Sequence, residues 1–139
     1  MRPYPTLGLL YISAFLKEHQ KNVALVDSTF SSVSDWREQI LSEQPEVVAF
    51  YTNLMTKVEV LRQLQYLKEN LLETTFVVGG PDVTYNQENY LNAGFDIVVI
   101  GEGEQTMLEL VNTLESNGDL ENVPGISFMK NGTLQENEA

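Results

Sequence analysis

The chain has 139 residues, the length of one domain, and its 42% apolar content with six Phe and six Tyr is enough to build a core. It is acidic, with 20 Asp and Glu against 8 Lys and Arg and a net charge of −12. That balance repels phosphate backbones and anionic lipid, which argues against nucleic-acid and membrane partners. The chain has no cysteine, so it carries no disulfide, thiolate metal site or iron–sulfur ligation of its own, and a cytoplasmic setting is expected.

Helical and strand patterns alternate along the sequence. Leu7, Leu10, Tyr11, Ala14 and Phe15 share one helical face, with Thr6 as N-cap. Residues 22–27 (NVALVD) read as a strand, and residues 34–43 as a short helix carrying Trp36 and Ile40 and stopped before Pro45. The continuous run Val47 to Tyr51 (VVAFY) predicts a strand buried on both faces. Thr56 and Glu59 have capping-box spacing ahead of a long helix with Val60, Leu61, Leu64, Leu67 and Leu71 on its apolar face. The strand ending Phe76-Val77-Val78-Gly79-Gly80 follows. Thr84 and Gln87 repeat the capping-box spacing, and Gly94 is positioned to end that helix. Asp96 to Gly101 (DIVVIG) is the next strand, and Met107, Leu108, Val111 and Leu114 fall in register on a last helix that stops near Asn117-Gly118. Residues 125–134 then read as a β-hairpin around Asn131-Gly132, with a polar, fraying tail from Gln135 to Ala139.

Strands alternating with helices predict an α/β, Rossmann-like (flavodoxin-like) three-layer domain with a mostly parallel sheet, closed by a C-terminal hairpin. The pattern divides the chain into an α/β body over residues 1–122 and a hairpin segment over 123–139. The chain opens on a helix where such folds open on a central strand, so the first strand is expected to be missing. Its place lies between the 22–27 and 47–51 strands. The edges this exposes invite pairing with a second copy, and a homo-oligomer through the incomplete sheet is expected.

In sheets of this kind, ligands lie outside the carboxyl ends of the strands. Three successive strand ends carry small or hydroxyl residues: Thr52-Asn53-Leu54, Gly79-Gly80-Pro81, and Gly101-Glu102-Gly103. These nine residues are the candidate ligand-binding set. One glycine at a strand end says only that the strand stops; clusters at adjacent ends point to a large ligand lying against the rim. Acid–base, nucleophilic and metal chemistry find no support. The single histidine, His19, sits at a helix end among charged residues without a histidine or cysteine partner. The Gly101-Glu102-Gly103 run lacks the third glycine of a dinucleotide fingerprint, with Thr106 in its place, and follows a late strand. The aspartate cluster and late lysine of a phospho-acceptor domain are also lacking.

Taken together, Pro5 to Ile12 (PTLGLLYI), Val26-Asp27, Val78 to Thr84 (VGGPDVT), Asp96 to Glu104 (DIVVIGEGE) and Val123 to Ser127 (VPGIS) resemble the cobalamin-binding domain of cobalamin-dependent radical SAM enzymes, a group that includes methyltransferases and the anaerobic magnesium-protoporphyrin ester cyclase. The resemblance implies cobalamin held at the carboxyl rim. Thr52 and Leu54 would lie near the corrin and its nucleotide tail, Gly79 and Gly80 would let that tail slot between sheet and helix, and the 101–104 loop would border the cavity. It implies a cobalt without a protein histidine ligand, because the DxHxxG motif is absent. It also implies that S-adenosylmethionine and the iron–sulfur cluster belong to a C-terminal barrel outside this cysteine-free chain, which alone would not be catalytic. The competing expectation is an interaction module that keeps the fold and no longer binds cofactor.

Overall fold

The computed structural model describes residues 41–42, 45–51, 57–80, 83–101 and 104–138. The helix expected after Thr6, the expected 22–27 strand and all but residues 41–42 of the expected 34–43 helix lie outside them, so the expectation of an absent first strand falls outside the described residues too. The described strands form one sheet in sequential order. β1 (Val47–Tyr51), β2 (Thr75–Gly79) and β3 (Ile97–Val99) are parallel, and β4 (Ile126–Lys130) and β5 (Thr133–Glu136) close the sheet antiparallel. Three helices make the crossovers: α1 (Lys57–Asn70), α2 (Gln87–Ala93) and α3 (Glu104–Glu115).

The alternation of side chains along each strand divides the core in two. Phe76, Val78 and Val98 face one way, against Leu64, Leu67 and Leu71 of α1 and Tyr90 and Leu91 of α2. Val77, Ile97 and Val99 face the other way, against Met107, Leu108 and Leu110 of α3, and Ile126 and Phe128 of β4 extend this second layer. β2 and β3 therefore need apolar residues at every position, which is why their runs are continuous. Burying side chains of this size contributes about 1.5–3 kcal/mol each, so these two layers dominate the stability. β1 differs from expectation: Val47, Val48 and Phe50 are half-buried and Ala49 is exposed, because β1 is the outer strand of the described sheet.

The ends of the elements are tied by polar side chains. Lys68 Nζ of α1 donates to Gly94 O at 2.6 Å and Gln65 Nε2 to Ala93 O at 2.9 Å, so α1 supplies donors, one of them cationic, to the last carbonyls of α2. Gly94 caps α2 as expected. The start of α2 departs from expectation. Residues Val83–Tyr85 form a separate 3-10 turn, and the N-cap is Asn86, whose side chain makes no capping bond. The helix therefore begins at Gln87 rather than at Thr84, and the Gln87 side chain accepts a hydrogen bond from β4 (below).

The hairpin turns through Asn131 (φ 54°) and Gly132 (φ 79°), with Lys130 paired to Thr133, the mirror-image two-residue turn that Asn-Gly favours. The Lys130 ammonium, at the exposed end of β4, is paired with Glu121, and that hydrogen bond holds its pKa above the usual lysine value. The tail beyond the hairpin is anchored rather than frayed. Asn137 Nδ2 donates to Leu120 O and Val123 O at 2.8 Å each, Asn137 N to Ile126 O at 2.8 Å, and Gly125 N to Glu138 O at 3.2 Å. Removing this side chain leaves two carbonyls without their donor. Asn137→Ala is therefore expected to cost about 1–3 kcal/mol, read as a lowered urea midpoint with unchanged slope; a midpoint equal to wild type would mean that the tail contributes nothing.

Candidate functional site

Parallel register sets the site. Tyr51 pairs with Gly79, and the Val77–Ile97 and Val78–Val98 pairs put Gly79 level with Val99. Val99 in turn pairs with Ile126, the first residue of β4. Tyr51, Gly79, Val99 and Ile126 thus form one row across four strands, and β1, β2 and β3 all end on this rim. Gly80 lies one residue past this row and Gly101 two. Of the nine candidate residues, the structure brings Gly79, Gly80 and Gly101 to this rim. Thr52, Asn53, Leu54, Pro81, Glu102 and Gly103 lie outside the described residues.

The three glycines are not equivalent. Gly80 (φ 123°) and Gly101 (φ 86°) adopt backbone angles that L side chains rarely take, so the turns themselves account for glycine there. Gly79 has ordinary strand geometry. A Cβ added to it would meet, among the described residues, only Val99 O at 3.7 Å and Val99 Cβ at 3.8 Å, which is normal contact. Neither its backbone nor packing against the described residues requires glycine at position 79. By strand parity Gly79 shares the face of Val77, so its bare position opens on the α3 side of the sheet, at the top of the second core layer. Among the described residues the space beside Gly79 on this face is open.

Residues 83–86 are tied to Gly80 and to the core. Val83 is fully buried against the α1–α2 layer, Val83 N donates to Gly80 O at 3.3 Å, and Asn86 N to Val83 O at 3.1 Å. Tyr85, 88% exposed, projects from this loop. On the other flank Ile100 N donates to Gly125 O at 2.8 Å, joining the Gly101 loop to the strand that begins the hairpin. Sequence reading missed one buried polar contact near the rim. Ser127 of β4, fully buried, donates its hydroxyl hydrogen to Gln87 Oε1 at 2.5 Å. The two residues are 40 positions apart and meet only because Ser127 lies opposite Val98.

The family model for the B12 binding domain matches residues 2–111. The chain belongs to this family. Among curated proteins it is 31% identical over 138 residues to the anaerobic magnesium-protoporphyrin IX monomethyl ester cyclase of Synechocystis sp., covering 95% of this chain and 28% of that protein. It is 30% identical over 124 residues to the hopanoid C-3 methylase of Methylococcus capsulatus, covering 86% of this chain and 24% of that protein. Among solved structures it superposes on the cobalamin-dependent S-adenosylmethionine radical enzyme OxsB with aqua-cobalamin bound, with TM-score 0.83, 22% identity and coverage of 99% of this chain and 20% of that one. It also superposes on the radical S-adenosylmethionine methyltransferase TsrM from Kitasatospora setae with cobalamin and a [4Fe-4S] cluster bound, with TM-score 0.84, 16% identity and coverage of 95% of this chain and 26% of that one. The chain spans less than a third of each of these proteins. The Rossmann-like fold expected from the element pattern is therefore the fold of this chain, and the resemblance to cobalamin-dependent radical SAM enzymes is borne out by these relatives and neighbours. Among the described residues no helix is long and apolar enough to cross a membrane.

The contrast among the glycines is testable in the protein without ligand. Gly79→Ala is expected to leave the melting temperature within about a degree of wild type. Gly101→Ala is expected to cost roughly 1–2 kcal/mol because its backbone is left-handed. Thermal denaturation of the two variants reads the difference, and a large loss for Gly79→Ala would mean that the fold itself needs glycine there.

Proposed function

We propose that this chain is the cofactor-holding domain of a radical SAM enzyme and binds cobalamin at the carboxyl rim formed by the ends of β1, β2 and β3. The binding set is Thr52, Asn53 and Leu54 after β1, Gly79, Gly80 and Pro81 at β2, and Gly101, Glu102 and Gly103 after β3. The observation that supports this most strongly is the bare, half-buried Gly79, whose missing side chain no described protein contact explains and whose open face lies between sheet and α3. A side chain there would project into the space that the nucleotide tail of the cofactor needs. The rim loops fit such a group in their small residues and in their rigid mounting on Val83 and Ile126.

When bound, cobalamin supplies a cobalt centre for methyl-transfer or cyclase-type chemistry. The residues of this chain do the holding: they exclude bulk from the tail slot, fix the loops around it and present backbone groups to the cofactor's polar rim. No histidine of the chain is placed as cobalt ligand in this reading, since the only one, His19, is assigned to a helix end by its sequence context. S-adenosylmethionine and an iron–sulfur cluster would be held by a separate barrel domain, to which the hairpin segment over 123–139 leads.

Titration with hydroxocobalamin, followed by visible absorption and binding heat, tests the proposal. Saturable binding is expected, with a spectrum that does not change in His19→Ala. Gly79→Val is expected to weaken binding at least about tenfold, equivalent to about 1.4 kcal/mol, with little change in melting temperature. Equal loss of affinity and stability in Gly79→Val would make Gly79 a structural residue only. No binding by the wild-type chain would favour an interaction module that keeps the fold and has lost the cofactor.

A further inference from the structure

The buried Ser127–Gln87 contact has a position that its role as a core hydrogen bond does not require. Gln87 is the first residue of α2, directly after the 3-10 turn and Asn86, and so it terminates the rim loop that begins at Gly80. Ser127 is the second residue of β4, next to Ile126 in the rim row and two residues from Gly125, whose carbonyl accepts from Ile100 just before the Gly101 loop. The sheet side of this contact is β4, which supports Ile100 at the end of β3, and the helix side is the start of α2, which follows residues 83–86. The 2.5 Å bond between them is a direct side-chain tie from the loop after β2 to the strand that supports the loop after β3.

Alternation along β4 makes the tie possible. Ile126 and Phe128 face α3, and Ser127, between them, faces the α1–α2 layer, where an apolar residue would otherwise pack. A hydroxyl at a fully buried position needs a partner, and the Gln87 carbonyl oxygen supplies it. Gln87 follows directly on the 3-10 turn that carries Tyr85 and on Asn86, so the bond reaches the end of that stretch.

We infer that Ser127 is a positioning residue for the cofactor rim: through Gln87 it fixes residues 83–86, which follow β2, relative to β4, whose Gly125 carbonyl holds Ile100 at the end of β3. This rests on the cobalamin reading above and adds a residue on a strand that does not itself end at the rim loops. Ser127 touches no ligand in this account; it acts through Gln87.

The test compares Ser127→Ala and Gln87→Met, which remove the donor and the acceptor, with Thr74→Val. Thr74 Oγ1 donates to Pro45 O at 2.7 Å at the opposite end of β2, so its loss destabilises the fold without touching the rim. Hydroxocobalamin affinity is measured for all three, together with hydrogen exchange of the Val83 and Asn86 amides in the cofactor-free chain. Both rim variants are expected to weaken binding about tenfold, the size of one net hydrogen bond, and to speed exchange at Val83 and Asn86; Thr74→Val should leave both quantities at wild-type values. Unchanged affinity in the two rim variants overturns the inference while leaving the cofactor reading intact. So does an equal loss of affinity in Thr74→Val, which would make the effect one of global stability. Absence of binding by the wild-type chain, seen before any variant is made, overturns the cofactor reading and the inference with it. If Ser127→Ala does not fold, Gln87→Met decides alone, because Gln87 is only partly buried.

Discussion

Everything at the rim depends on the register of three parallel strands. Parallel pairing sends all three chains out of the sheet at one end, and the pairing Tyr51–Gly79 with Val78–Val98 makes those exits level to within a residue. A slip of one residue would turn Gly79 towards the α1–α2 layer and put Val78 on the α3 side, because side chains alternate. The register is held by burial on both faces: Val77 is locked against the α3 layer and Phe76 and Val78 against the α1–α2 layer, so neither face tolerates the exchange. At the lower end Asp96 fixes the same register with polar bonds, its Oδ2 accepting from Phe76 N at 2.8 Å while its own N donates to Phe76 O at 2.9 Å.

Given that frame, the site is a consequence of what is left out. The strands are apolar along their length and become small where they end. Two of the small residues are dictated by the turns they make, and the third is not. Position 79 is therefore where the described fold does not account for glycine, and the proposed cofactor would. The hairpin strengthens the frame on the far side: β4 completes the second core layer through Ile126 and Phe128, and Asn137 staples the end of the chain to residues 120–126.

The sequence carried the fold legibly where the signal was local. The buried runs of β2 and β3, the α1 and α3 stripes, Gly94 as a cap and Asn131-Gly132 as a hairpin turn are each determined by residues within a few positions of one another. Strand-end clustering likewise pointed to Gly79, Gly80 and Gly101. What could not be read were contacts that exist only after strands are paired. Gln87 has the spacing of a capping residue, and nothing nearby reveals that Ser127 will take its side chain. The tail looks frayed by composition, yet its Asn137 finds three carbonyls once the hairpin register is set. The half-exposure of β1, the outermost of the described strands, is likewise not encoded by a run of apolar residues.

The central claim is that the rim is the cofactor site. Backbone amide chemical shifts recorded while the isotope-labelled chain is titrated with hydroxocobalamin test it most directly. Saturating shifts should concentrate at residues 79–80, 83–86 and 100–106, with the lower end of the sheet at Thr75 and Ile97 and the hairpin turn at Asn131-Gly132 unmoved. Shifts centred on the hairpin edge or the outer helix faces, with Gly79, Gly80 and Gly101 unperturbed at saturation, would contradict the account.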